Sequence, residues 1–135
     1  MYTRKIIFKD FNGNEKIEVA NFNLNRREIA ALQGSVEGGF DKAIEKIQEE
    51  KDVYKMFALF DKLIQAAYGE VSADGSRFVK SAEITANFVS SAAYDKLFDN
   101  LISNPELIKE FFINVVPEDA RGTVAAEFQK LNAAE

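Results

Sequence analysis

The sequence predicts a mainly α protein of the α+β class, an N-terminal β-hairpin followed by a compact bundle of about five to six helices. Three observations carry this expectation. An Asn12-Gly13 pair separates two apolar-rich runs near the N-terminus, and Asn-Gly readily supplies the positive φ angles of tight hairpins. From Arg26 onward, apolar residues recur three and four apart in short blocks punctuated by Gly, Ser, Asn and Pro, the spacing of amphipathic helices with their caps. The chain has 135 residues, 47% of them hydrophobic, and no Cys, so one domain with a disulfide-free core is expected. Residues 1–117 read as that domain, with the hairpin in 1–24 and the helices in 25–117. Residues 118–135 read as a C-terminal tail.

In the hairpin, Lys5-Ile6-Ile7-Phe8 and Glu15 to Phe22 flank the turn at Asn12-Gly13-Asn14. In the second run Ile17, Val19 and Asn21 point one way while Lys16, Glu18, Ala20 and Phe22 point the other, as in a strand with one wet face. A two-stranded ribbon is marginal by itself, so it must pack on the helices or pair with another chain. Asn25 and Glu28 form an Asn-x-x-Glu capping box, which predicts a helix over Arg26 to Gln33. The run Gly34 to Gly39 breaks it; lacking a Gly-Lys-Ser/Thr ending, it reads as a loop rather than a phosphate cradle.

Phe40, Ala43, Ile44 and Ile47 form a narrow apolar stripe among Lys and Glu, predicting a surface helix. Glu45, Glu49 and Glu50 belong to its solvated face. From Val53 to Ala67 the apolar surface broadens to include Met56, Phe57, Phe60, Leu63 and Ile64, predicting the central core helix. Tyr68 to Ser81 interrupts the helical pattern and reads as a connector turning at Asp74-Gly75. It lacks the second acidic ligand and terminal Glu of a calcium loop. Ser81 and Ser91 are positioned to cap two further helices. Asn104-Pro105 opens a third, carrying Leu107, Ile108, Phe111, Phe112, Val115 and Val116 and ended by Pro117. The tail bears a sparse stripe of Val124, Phe128 and Leu131; it is either a last packed helix or a detachable amphipathic segment.

Composition also excludes. A net charge of -5 with scattered basic residues opposes nucleic-acid binding, which needs clustered Lys and Arg. Without His or Cys there is no zinc site of the usual kind, no Ser-His-Asp triad and no Cys-His pair. No catalytic residue, cofactor or metal is therefore expected. Met1 to Phe8 is neither signal peptide nor membrane span, and no membrane partner is expected, with the cytoplasm as default location.

One resemblance extends this reading. Tyr68-Gly69-Glu70, Asp74-Gly75, Arg77-Phe78-Val79-Lys80-Ser81, Phe88, Ala93-Tyr94, Leu97-Phe98, Leu101, Phe112-Ile113-Asn114 and Pro117 together resemble the tail assembly chaperones of long-tailed, siphovirus-type bacteriophages. Upstream, the Asn12-Gly13 hairpin, Phe22-Asn23-Leu24 and Gly38-Gly39 are similar to the same family. The pattern departs from it at Asp99-Asn100 and at Ser103 to Glu106. Order and spacing carry the match, each element alone being a turn or a cap.

The resemblance implies a non-catalytic protein of the host cell cytoplasm, absent from the mature virion. Such a protein binds the tape measure protein, keeps it soluble and helps recruit tail tube subunits. A frameshifted longer form of the chain itself and a homo-oligomer are further options; the chain resembles the shorter of two such products. Apolar grooves suited to amphipathic helices would make the contacts, with candidates in the Val124, Phe128, Leu131 stripe and in a groove beside Phe111 and Phe112. The alternative is a structural phage tail or head-tail connector protein.

Overall fold

The Asn12-Gly13 turn closes as expected, and its geometry explains the residue choice. In the computed structural model, which describes residues 1–35, 37–122 and 126, Gly13 has φ 84°, a region that costs a glycine nothing. The Asp10 side chain accepts from the N–H groups of Asn12 and Asn14, both at 2.9 Å. Strands β1 (Tyr2–Lys9) and β2 (Glu15–Phe22) then pair antiparallel in full register, from Lys9 opposite Glu15 to Tyr2 opposite Phe22.

Six helices follow among the described residues: α1 (Arg26–Ser35), α2 (Gly39–Glu50), α3 (Val53–Ala67), α4 (Ala82–Val89), α5 (Ala92–Ser103) and α6 (Pro105–Val115), with a 3-10 turn at Glu118–Ala120. The α+β class, with an N-terminal hairpin and six helices, is thus the observed one. Caps set the boundaries. Asn25 accepts from Glu28 N–H at 2.8 Å while Glu28 accepts from Asn25 N–H at 3.0 Å, a reciprocal box. Asp52, Ser81, Ser91 and Asn104 each accept from backbone N–H groups at the starts of α3, α4, α5 and α6. Helix α1 runs past Gln33 through Gly34 to Ser35, because one glycine weakens a helix without ending it.

The stretch from Tyr68 to Ser81 is more than a connector. It contributes β3 (Tyr68–Val71) and β4 (Phe78–Val79), giving one four-stranded antiparallel sheet in the order β1-β2-β3-β4. The marginal ribbon therefore finds its third strand within the chain, with Asn21 opposite Gly69 and Phe22 opposite Tyr68. Gly69 is obligatory by contact: a Cβ there would sit 2.5 Å from Phe78 Cε1 and 2.8 Å from the Val79 carbonyl oxygen.

The helices cover one face of the sheet. Ile6, Ala20 and Phe22 are buried beneath α5 and α6, whereas Ile7, Ile17 and Val19 stay exposed on the other face. The core favours the face that carries Phe22: its ring meets Phe111 at 4.9 Å, Tyr68 at 5.7 Å and Phe88 at 5.9 Å. Helix α3 contributes Phe60, Ile64 and Ala67 to the core, while Val53 and Tyr54 at its start are exposed, narrower burial than its apolar sequence suggests. Four hydrogen bonds tie residues between 23 and 28 to distant parts of the chain. Asn23 N–H donates to the Ala67 carbonyl and Leu24 N–H to the Val115 carbonyl, both at 2.8 Å. Lys80 Nζ donates at 2.6 Å to both the Asn23 carbonyl and Glu28 Oε2.

Candidate protein-docking site

Phe111 and Phe112 are core residues in this fold. Phe111 is fully buried, with its ring 4.9 Å from Phe22 and 5.2 Å from Tyr2. Phe112 is buried against Phe60 at 5.4 Å. Both rings are engaged in packing, and neither presents a surface. Val124, Phe128 and Leu131 lie outside the described residues.

A different surface has the geometry of a docking site. Between α3 and α5 lies an open cleft of ≈ 550 Å³ lined by Phe57, Ala58 and Asp61 from one helix and by Tyr94, Asp95, Phe98 and Asp99 from the other. Helical periodicity builds it. On α5, Ala93-Tyr94-Asp95 and Leu97-Phe98-Asp99 repeat one triplet four residues apart. Each step rotates about 100° round the helix, so an apolar residue enters the core, an aromatic one flanks it and an acid reaches the rim. Ala93 and Leu97 are accordingly buried, Phe98 is half-buried, and Asp95 and Asp99 are exposed. On α3, Phe60 and Ile64 take the core while Phe57 and Asp61 border it, both half-buried.

The aromatic floor is ordered by mutual contact. Phe57 meets Phe98 edge-on at 6.3 Å, Tyr94 and Phe98 lie nearly parallel at 6.3 Å, and Tyr94 meets the core ring of Phe88 edge-on at 5.4 Å. Such arrangements suit the quadrupoles of the rings. Tyr94 is only 7% exposed, and its hydroxyl is buried without a hydrogen-bond partner. Buried polar atoms are ordinarily satisfied, so this one stands out.

The rim is electrostatically one-sided. No Lys or Arg lines the cleft, and among the described residues the carboxylates of Asp61, Asp95 and Asp99 form no ion pair or hydrogen bond. Elsewhere carboxylates do find cations: Asp10 has Lys16, Glu28 has Lys80, Glu50 has Lys55 and Asp119 has Arg26. Asp95 is favoured in the first turn of α5 by the helix dipole, but Asp99 stands four residues on, where a like charge destabilises a helix. That i, i+4 acid pair, repeated in step with the aromatics, is the signal of the cleft that the sequence carries.

Chemically the cleft offers acceptors and aromatic faces. It contains no nucleophile with a base beside it, and no group of His, Cys, Asp or Glu among the described residues is arranged to hold a metal ion. An apolar side chain can lie on the floor while a cation is met at the rim. No helix among the described residues is long and apolar enough to cross a membrane.

In comparison with known proteins, a family model described as phage tail assembly chaperone matches residues 1–135. No curated protein and no solved structure matches the chain.

Proposed function

The chain belongs to the phage tail assembly chaperone family, and from that membership we propose that it binds the tape measure protein, keeps it soluble and helps bring tail tube subunits to it. The observation that carries this reading is the family match over the whole of residues 1–135. The shape of the surface supports it, since an aromatic cleft between two helices suits a protein segment better than a reacting small molecule. A tape measure protein is long and helix-prone, so many copies of a weak binder on one client gain avidity without strong single contacts. The role is non-catalytic and belongs to the host cell cytoplasm before tails are complete. A frameshifted longer form and a homo-oligomer fit the same scheme.

Co-expression with the tape measure protein of the same phage tests the proposal. The client is expected to move from the pellet to the soluble fraction when the chain is present and to co-purify with it. A client equally insoluble with and without the chain refutes the reading. Mass spectrometry of purified virions separates it from a structural tail or connector role, because an assembly chaperone is lost from finished particles.

A further inference from the structure

We infer that the α3–α5 cleft docks a basic amphipathic helical segment of a protein partner, with Lys or Arg heads at Asp61, Asp95 and Asp99 and apolar side chains on Phe57, Tyr94 and Phe98. The inference rests on the chaperone reading only in taking the ligand to be protein. Three independent features select this occupant. The rim holds three carboxylates with neither a cation in the lining nor an ion pair among the described residues, a set that an opposite charge on a partner complements. The floor is aromatic, and Lys and Arg combine an apolar stem with a head attracted to ring faces. Tyr94 lines the cleft and its buried hydroxyl lacks a partner, which a polar group of the docked segment can supply where docking opens a path to it.

Other occupants fit less well. An anion meets three like charges, and a metal ion finds no converging ligand group. Among the described residues a second copy offers no helix with a free row of cations: on α1 Arg26 is bound to Asp119, and on α3 Lys55 is bound to Glu50. Two walls of helix leave a groove into which the side-chain ridge of a third helix packs.

The test uses the full chain and two fluorescent amphipathic peptides of Leu and Ala, one with Arg along the polar face and one with Glu at the same positions. Anisotropy is expected to report binding of the Arg peptide, weakened by salt, and none of the Glu peptide. Joint Asp61→Asn, Asp95→Asn and Asp99→Asn substitution should weaken the Arg peptide by about tenfold or more, with the thermal midpoint unchanged or raised. Tyr94→Phe should weaken binding about two- to tenfold while leaving folding intact, and Glu83→Gln on α4, outside the cleft, should change nothing. The inference is overturned by absence of Arg-peptide binding, by equal binding of both peptides, or by a triple variant that binds like the parent. Self-association abolished by the triple variant also overturns it, in favour of a second copy. Parallel co-expression keeps the two proposals apart. A triple variant that still solubilises the tape measure protein removes the cleft but not the chaperone. A parent chain that binds the Arg peptide through its aspartates yet leaves the client insoluble removes the chaperone but not the cleft.

Discussion

Phe22 is the residue whose removal should cost this fold most. It is completely buried, and its ring meets Phe111 at 4.9 Å, Tyr68 at 5.7 Å, Phe88 at 5.9 Å and Tyr2 at 6.4 Å. Phe→Ala in a core costs about 3–5 kcal/mol, and the value depends on how far the neighbours can collapse into the hole. Here the four neighbouring rings are anchored in β1, β3, α4 and α6, so collapse is resisted from four directions and the loss should reach about 4–5 kcal/mol. A domain of this length has roughly 7–20 kcal/mol in all, so the variant retains a folded state with a thin margin. With a urea slope of about 2 kcal/mol/M, the midpoint should fall by about 2 M. Phe22→Leu keeps much of the volume and loses the ring edges, for a cost of about 1–2 kcal/mol. Tyr54→Ala, at a site 83% exposed, should stay within about 0.5 kcal/mol of the parent. A Phe22→Ala midpoint within about 0.5 M of the parent, or equal losses for Ala and Leu, would refute the placement of the core.

Further expectations concern the sheet and the β3–β4 turn. Gly69→Ala puts a methyl against Phe78 and the Val79 carbonyl and should cost about 1–3 kcal/mol, with the loosening visible as faster amide exchange in β3 and β4; unchanged exchange and thermal midpoint would contradict the close approach. Burial raises the pKa of Glu18, whose Oε2 has no partner, so its stabilising contribution is complete at pH values below the unfolded-state pKa and is lost as pH rises through the folded one. Glu18→Gln should therefore be as stable as the parent or more so at neutral pH, with a flatter acid-range profile; a variant that loses stability at neutral pH would speak against it. Hydrogen bonds from the Ser72 hydroxyl, then from the Ser76 N–H and hydroxyl, pull the Asp74 carboxyl down to about 2. Its contribution is present above the ordinary value and lost as pH falls toward that figure. NMR titration should find the low midpoint and its return toward 3.8 in Ser72→Ala; an ordinary midpoint in the parent would show that the turn is not closed this way.

Local signals were legible wherever a short-range interaction decides the structure. The Asn12-Gly13 turn, the Asn25–Glu28 box, and the Ser81, Ser91 and Asn104 caps are each completed within about four residues, and each lies where its chemistry predicts. The sheet was only half legible. Tyr68 to Val71 is short, polar and split by a glycine, so it becomes a strand only because β2 lies beside it, a long-range fact without local periodicity. The same limit applied to the surface: Phe111 and Phe112 look suited to a groove by composition, yet Phe22 and Phe60 reach them first. The α3–α5 cleft depends on two helices meeting, although its repeated triplets on α5 were in view.

The hydrogen bond from Leu24 N–H to the Val115 carbonyl and that from the Tyr2 hydroxyl to Glu110, 108 residues away, bear on how the chain is made. β1 and β2 leave the ribosome before the helices, and their inner face of Ile6, Ala20 and Phe22 is covered in full only once α5 and α6 have been synthesised. A hairpin alone is marginal, and closures this distant slow folding. Phe22 thus lacks part of its cover until Phe111 of α6 has emerged. Termination anywhere before Val115 should yield an aggregating product rather than a smaller folded one.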